Sequence, residues 1–212
     1  MVRQLSIQRL STTSITLAVA ELTQRDRDLA SIVKKWGHPP NWERETGFVG
    51  LVRTIIGQQL SVASAKAIFT RLSQLVLLTP ANFLQLDDAQ LQAAGLSQRK
   101  ILYCRELARA IATNVIDLDK LALMDDANVR CQLRQIKGIG DWTVDIYLLM
   151  CLQRPDAFPS GDLALAIAYQ KLKRLPKRPT PVELEAITEK WKPWRAVAAR
   201  ILWHYYLMQN KA

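Results

Sequence analysis

Apolar side chains recur every three or four positions through most of the chain, at Ile101, Cys104, Ala108 and Ile111 in one stretch and at Trp194, Ala198, Ile201, Tyr205 and Met208 in another. This spacing follows the turn of an α-helix, so each stretch predicts a helix with one face towards a core. The two-residue alternation of a half-buried strand is absent after the first few residues. Glycine and proline interrupt the pattern at 37–40, 79–80, 95, 138–140, 155–161 and 176–181, which divides the chain into about ten helices. The expected fold is all-α. The Ser/Thr-rich segment 11–14 predicts a cap for a first helix reaching towards Trp36, with a break allowed at Thr23 and the Asp26/Asp28 pair.

The longest apolar runs, 146–152 and 163–169, have seven residues each, whereas a bilayer-spanning helix needs about 20. No membrane partner is expected. No apolar stretch of signal-peptide length opens the chain, which predicts a cytoplasmic, nucleoid-associated protein in a bacterium or a nuclear one in a eukaryote. With 212 residues, no internal repeat and no Gly/Ser linker, residues 1–212 read as one domain of two closely packed helical lobes around a cleft.

Composition narrows the chemistry. The three cysteines, Cys104, Cys131 and Cys151, are too few and too far apart for a zinc or iron-sulfur site and read as buried thiols. His38 and His204 stand alone, so neither a metal nor another cofactor is expected. A net charge of +10 and a pI near 9.8 favour an anionic partner such as nucleic acid. The densest basic run, 171–178, holds five charges in eight residues and reads first as a solvated loop.

The segment 133–143 reads as helix, glycine hairpin, helix. Gly138 and Gly140 can each take positive φ, and a helix opening near Asp141 offers unpaired backbone N–H groups at the positive end of its dipole. Such donors grip a phosphate without reading sequence, and Lys137 adds a charge. The commonplace alternative is a glycine cap followed by a turn. A dinucleotide-binding loop fits less well, because the preceding 129–136 looks helical and Thr143 occupies the third glycine position. Asp162, after Phe158-Pro159-Ser160-Gly161, opens an apolar helix over 163–172, where the helix dipole favours its ionised form. An ordinary N-cap explains an aspartate there equally well.

Together with the aspartate 22 residues after Gly140, Gly57-Gln58-Gln59-Leu60-Ser61-Val62-Ala63, Gly95-Leu96-Ser97, residues 137–143 and Trp191-Lys192-Pro193-Trp194-Arg195 resemble the 3-methyladenine-DNA glycosylase II branch of the helix-hairpin-helix base-excision DNA glycosylases. The resemblance implies the helix-hairpin-helix glycosylase fold, without the N-terminal β domain of many bacterial members. It also implies excision of alkylated bases (3-methyladenine, with 7-methylguanine, hypoxanthine or ethenoadenine as further substrates) from damaged double-stranded DNA by a monomer without a cofactor. Asp162 then matches the essential aspartate, which stabilises an oxocarbenium-like sugar or activates water. Lys137, Gly138 and Gly140 match the DNA-binding hairpin. Trp142 stands where lyase members carry a Schiff-base lysine, which implies a monofunctional enzyme.

By the same resemblance Trp142 and Trp203 match base-pocket positions, and cation-π stacking on an indole favours a cationic base by about 0.5–2 kcal/mol per face. The family's pocket tyrosine position holds Ile146. The side chain that fills the hole left by base flipping falls at Gln59 or Leu60, although a buried helix start accounts equally for Leu60. Trp191 and Trp194 read first as packing residues, with Pro193 in the first turn of the last helix. Two rivals remain from the sequence: a non-catalytic helix-hairpin-helix DNA-binding protein, and a helical protein-interaction domain. Within the enzyme class, a glycosylase for deaminated or oxidised bases also fits.

Overall fold

A computed structural model describes residues 9–209, and among these every regular element is helical. The opening residues, where strand alternation was not excluded, lie outside the described region. In chain order the helices are α1 (Thr12–Arg25), α2 (Arg27–Trp36), α3 (Gly47–Gly57), α4 (Val62–Leu75), α5 (Pro80–Gln85), α6 (Asp88–Ala93) and α7 (Gln98–Ala112). There follow α8 (Leu118–Ala122), α9 (Asp126–Leu133), α10 (Asp141–Ile146), a π-helical segment (Tyr147–Cys151), α11 (Leu163–Lys173), α12 (Pro181–Thr188), a 3-10 turn (Glu189–Trp191) and α13 (Arg195–Gln209). None of them is long and apolar enough to cross a membrane.

More helices form than glycine and proline alone mark, because aspartate side chains also start helices by accepting backbone N–H bonds. Asp87, Asp117 and Asp125 do so at α6, α8 and α9. Asp26 splits the expected first helix in two: it ends α1, and its Oδ1 accepts from the N–H groups of Asp28 and Leu29 at the start of α2.

The chain divides into two compact units, one of residues up to Glu43 together with those from Leu148 onward, the other Arg44–Tyr147. In the first, the terminal unit, α13 packs on α1, α2 and α11, burying Leu22, Leu29, Ile32, Leu165, Ile201 and Leu202 completely. Trp191 is 1% exposed between the rings of Phe158 and Tyr169, and its indole N–H donates to Asp26 Oδ2 at 3.0 Å. It is a packing residue. In the central unit α3 is apolar on nearly every side and packs on α4, α7 and α10, with Leu51, Val52, Ile55 and Ile56 fully buried.

Two expectations need correction. Pro193 lies outside α13, which opens at Arg195 after a turn closed by Trp194 N–H donating to Trp191 O; Ala196 N–H is held by Pro155 O at 3.0 Å. Cys131 is exposed, while Cys104 and Cys151 are buried. The inward face of α9 is set by Val129 and Leu133, four residues apart, which turns the position midway between them outward.

Asp26 is buried, which alone raises its pKa, but hydrogen bonds from Lys190, Trp191 and Leu29 and the Lys190 charge outweigh burial and hold it below the usual carboxylate value. A carboxyl group whose pKa is lower folded than unfolded contributes stability above its unfolded pKa, and loses it as pH falls through the folded value. The acid limb of a stability–pH curve below about pH 4 should therefore flatten in Asp26→Ala. At neutral pH that variant should lose about 2–4 kcal/mol in denaturant titration, from the lost cap and the stranded Trp191 N–H; Lys190, about half exposed, can turn to water.

Candidate active site

In the central unit the segment 133–143 forms the expected hairpin between α9 and α10. Gly138 has φ +92°, and a Cβ there would lie 2.1 Å from Cγ of Tyr103 on α7, so only glycine fits. Gly140 departs from the expectation: its φ is −100° and ψ −178°, ordinary extended backbone. A Cβ on Gly140 would meet nothing within 4 Å, so neither conformation nor internal crowding demands glycine there. Gly140 occupies the N-cap of α10 and, unlike the residues that cap α1, α2, α4 to α9, α11 and α12, brings no side-chain acceptor. The first amides of α10 thus have no acceptor within the helix or from its cap. The hairpin up to Gly140 lines a concavity of about 440 Å³, rimmed by Arg99, Tyr103, Arg134 and Lys137.

Gln58, the C-cap of α3, fixes this hairpin. Its amide donates to Gly138 O and to Thr143 Oγ1, each at 2.9 Å, one partner before α10 and one inside it. The last turn of α3 is held by Lys100 Nζ, which donates to Ile56 O at 2.6 Å; burial lowers the Lys100 pKa. Just beyond these anchors Gln59 takes φ +56° and Leu60 is 41% exposed. Helix α4 opens only at Val62, capped by Ser61, so a buried helix start does not account for Leu60.

In the terminal unit Asp162 is the N-cap of α11. Its Oδ1 accepts from Leu165 N–H at 3.0 Å and from Trp203 Nε1–H at 3.1 Å. Trp203, on α13, is 9% exposed and meets the ring of Trp42 edge to face at 6.3 Å. Trp42 is in turn held by Arg200, one turn before Trp203 on α13. The buried guanidinium donates to Trp42 O at 2.9 Å and Asn41 Oδ1 at 3.0 Å, and through its other nitrogen to Leu149 O at 3.2 Å and Gln153 Oε1 at 2.7 Å. Burial pushes its pKa down to about 10, against the pull of Glu43, so it stays cationic at neutral pH. Asp162 lines a concavity of about 640 Å³.

The Trp191-to-Arg195 motif anchors the start of α13. Trp194 Nε1 donates to Glu21 at 2.9 Å, and Arg195 reaches Asp156 at 2.8 Å and Glu185 at 2.6 Å.

Of the residues singled out from sequence, the central unit holds Lys137, Gly138, Gly140, Gln59, Leu60 and the half-buried Trp142 in the first turn of α10. The terminal unit joins Asp162 to Trp203. Sequence reasoning did not find Trp42, Arg200, Tyr103 or the clamp role of Gln58. Trp42 alone left a trace, an aromatic side chain in the polar, proline-containing segment 38–46.

Comparison with known proteins bears on all of this. The model of the HhH-GPD superfamily base excision DNA repair proteins matches residues 52–193. DNA-3-methyladenine glycosylase 1 of Schizosaccharomyces pombe is 34% identical over 199 residues, which cover 90% of this chain and 87% of that one. DNA-3-methyladenine glycosylase 2 of Escherichia coli is 28% identical over 72% of this chain, which spans 55% of that longer protein. Among solved structures, the S. pombe 3-methyladenine DNA glycosylase in complex with abasic DNA superimposes with a TM-score of 0.84 at 32% identity, covering 88% of this chain and 95% of that one.

Two substitution sets test the geometry. Gly138→Ala should destabilise the protein by more than about 1 kcal/mol, from strained φ and the Tyr103 clash. Gly140→Ala should change it by less than about 0.5 kcal/mol; equal losses in urea titration would contradict the assignment of conformational need to Gly138 alone. Arg200→Met strands four acceptors and should cost about 3–5 kcal/mol, read as a lower urea midpoint at unchanged slope.

Proposed function

The chain belongs to the HhH-GPD superfamily of base excision DNA repair proteins, and on that premise we propose that it is a monofunctional DNA glycosylase that flips alkylated bases out of duplex DNA and excises them. The observation that carries this reading is the Asp162 carboxylate, oriented by two N–H donors at a helix N-terminus and lining an open concavity. Cleavage of the C1′–N bond moves its electron pair to the base and builds positive charge on the sugar. A carboxylate fixed in advance lowers that barrier, because it need not reorganise as the charge appears. Water then adds to C1′ and gives up a proton, leaving an abasic site and the released base. A base such as 3-methyladenine is cationic while attached and departs neutral, so it needs little help from a general acid.

Lys137, Gly138 and Gly140 hold a backbone phosphate, and the bare N-cap at Gly140 lets an oxygen approach the α10 amides. Gln59 or Leu60 fills the stack vacated by the flipped base; Gln58, committed to the hairpin, sets their register. Trp142 offers a partly exposed indole to a cationic base, whereas the Trp203 N–H serves to aim Asp162. No amine stands two residues after Gly140, which supports a glycosylase without lyase activity. A single chain supplies every group named, so the protein acts as a monomer on damaged double-stranded DNA, in the nucleoid or the nucleus.

The test is release of 3-methyladenine from alkylated duplex DNA by the unaltered protein and by Asp162→Asn. Asparagine is as good an N-cap as aspartate and keeps an oxygen for Leu165 and Trp203, so fold and DNA binding should persist. Release should slow about a hundredfold or more, and borohydride should trap no protein–DNA adduct with the unaltered protein. DNA binding with no release of any modified base would favour the non-catalytic DNA-binding rival.

A further inference from the structure

We propose that Lys177 and Arg178 form a second phosphate-binding site, which holds the DNA backbone beside the nucleotide whose sugar Asp162 addresses. The proposal rests on the glycosylase reading and extends it to a segment that the sequence presented as a solvated loop. Lys177 and Arg178 line the same 640 Å³ concavity as Asp162, with Ser160, Gln170 and Thr180 completing its polar rim. Both cations are exposed, and among the described residues neither is ion-paired, in contrast to Lys173 on the adjoining turn, which is bound to Asp28.

The loop that carries them is held at both ends. Helix α11 closes with Arg174 at φ +51° and with Leu175 N–H donating to Gln170 O at 3.0 Å. Helix α12 opens on a reciprocal cap in which Glu183 accepts from Thr180 N–H at 2.7 Å and Thr180 Oγ1 accepts from Glu183 N–H at 3.2 Å. Between these ends Pro176, Pro179 and Pro181 restrict φ. The cations therefore sit on a short, constrained segment, where less backbone freedom is lost on binding than from a loose tail.

Connectivity of the ligand supplies the rest. Every internal deoxyribose carries a phosphate on its 3′ and its 5′ oxygen, so a carboxylate that reaches C1′ has a phosphate within one nucleotide on either side. An ionised Asp162 repels both. Glu183, the other carboxylate near Lys177, is engaged by Thr180. Two unpaired cations in the same concavity offset that repulsion and hold the backbone while the base is turned out.

The experiment compares the unaltered protein with Lys177→Ala/Arg178→Ala on a duplex bearing a stable abasic analogue. Each phosphate contact contributes about 0.9 to the slope of log affinity against log salt, so the double variant should lose about 1–2 from that slope at an unchanged melting temperature. Neutral methylphosphonate linkages flanking the analogue should weaken binding by the unaltered protein and leave the variant indifferent. An unchanged slope with the same methylphosphonate penalty in both proteins overturns the proposal while leaving the glycosylase reading intact. Absence of salt-dependent DNA binding by the unaltered protein overturns that reading, and this proposal with it.

Discussion

The terminal unit is organised around one buried guanidinium. Arg200 is fully buried among neutral acceptors, a placement that is expensive unless nearly every donor is met. Four bonds meet it, and together they fix three pieces of chain: the segment bearing Asn41 and Trp42, the π-helical turn at Leu149, and Gln153 beyond it. The π segment needs such a partner, since its final carbonyls fall inside the unit. Leu148 O is met by Arg154 N–H and Met150 O by the Gln153 amide, which leaves Leu149 O to Arg200. Because Trp203 stands one turn along α13, the same helix that satisfies these carbonyls also aims the Asp162 carboxylate.

The central unit solves a different problem with a glycine hairpin. Its two glycines divide the work: Gly138 permits a turn pressed against the Tyr103 ring, and Gly140 keeps the mouth of α10 open. Gln58 links this mouth to the turn bearing Gln59 and Leu60 through bonds on either side of the α10 start. A phosphate held by backbone amides would be bound without regard to base sequence, so under the proposed function discrimination between damaged and undamaged DNA falls to stacking and to lability of the glycosidic bond.

What the sequence made legible was local. Helical periodicity, the hairpin at 133–143 and the cap at Asp162 each depend on residues within a few positions of one another, and all are observed as elements or caps. The contacts that organise them join distant positions: Gln58 reaches Gly138 across 80 residues and Arg200 reaches Trp42 across 158. No spacing rule encodes such pairs. A GxG pattern likewise does not tell which glycine must stay without a side chain; at Gly138 that demand comes from Tyr103 on another helix. Asp26 was visible as a break in α1, but its bonds to Lys190 and Trp191 were not.

The outward turn of Cys131 has a practical side. Cys104 is fully buried, and burial raises its thiol pKa to about 12; Cys151 is buried as well. Thiol-directed reagents act on the thiolate at an accessible sulfur, so the native chain presents one labelling position, on α9 just ahead of the hairpin. A fluorophore placed there needs no background cysteine removed, and its emission would report on the surroundings of the hairpin in real time.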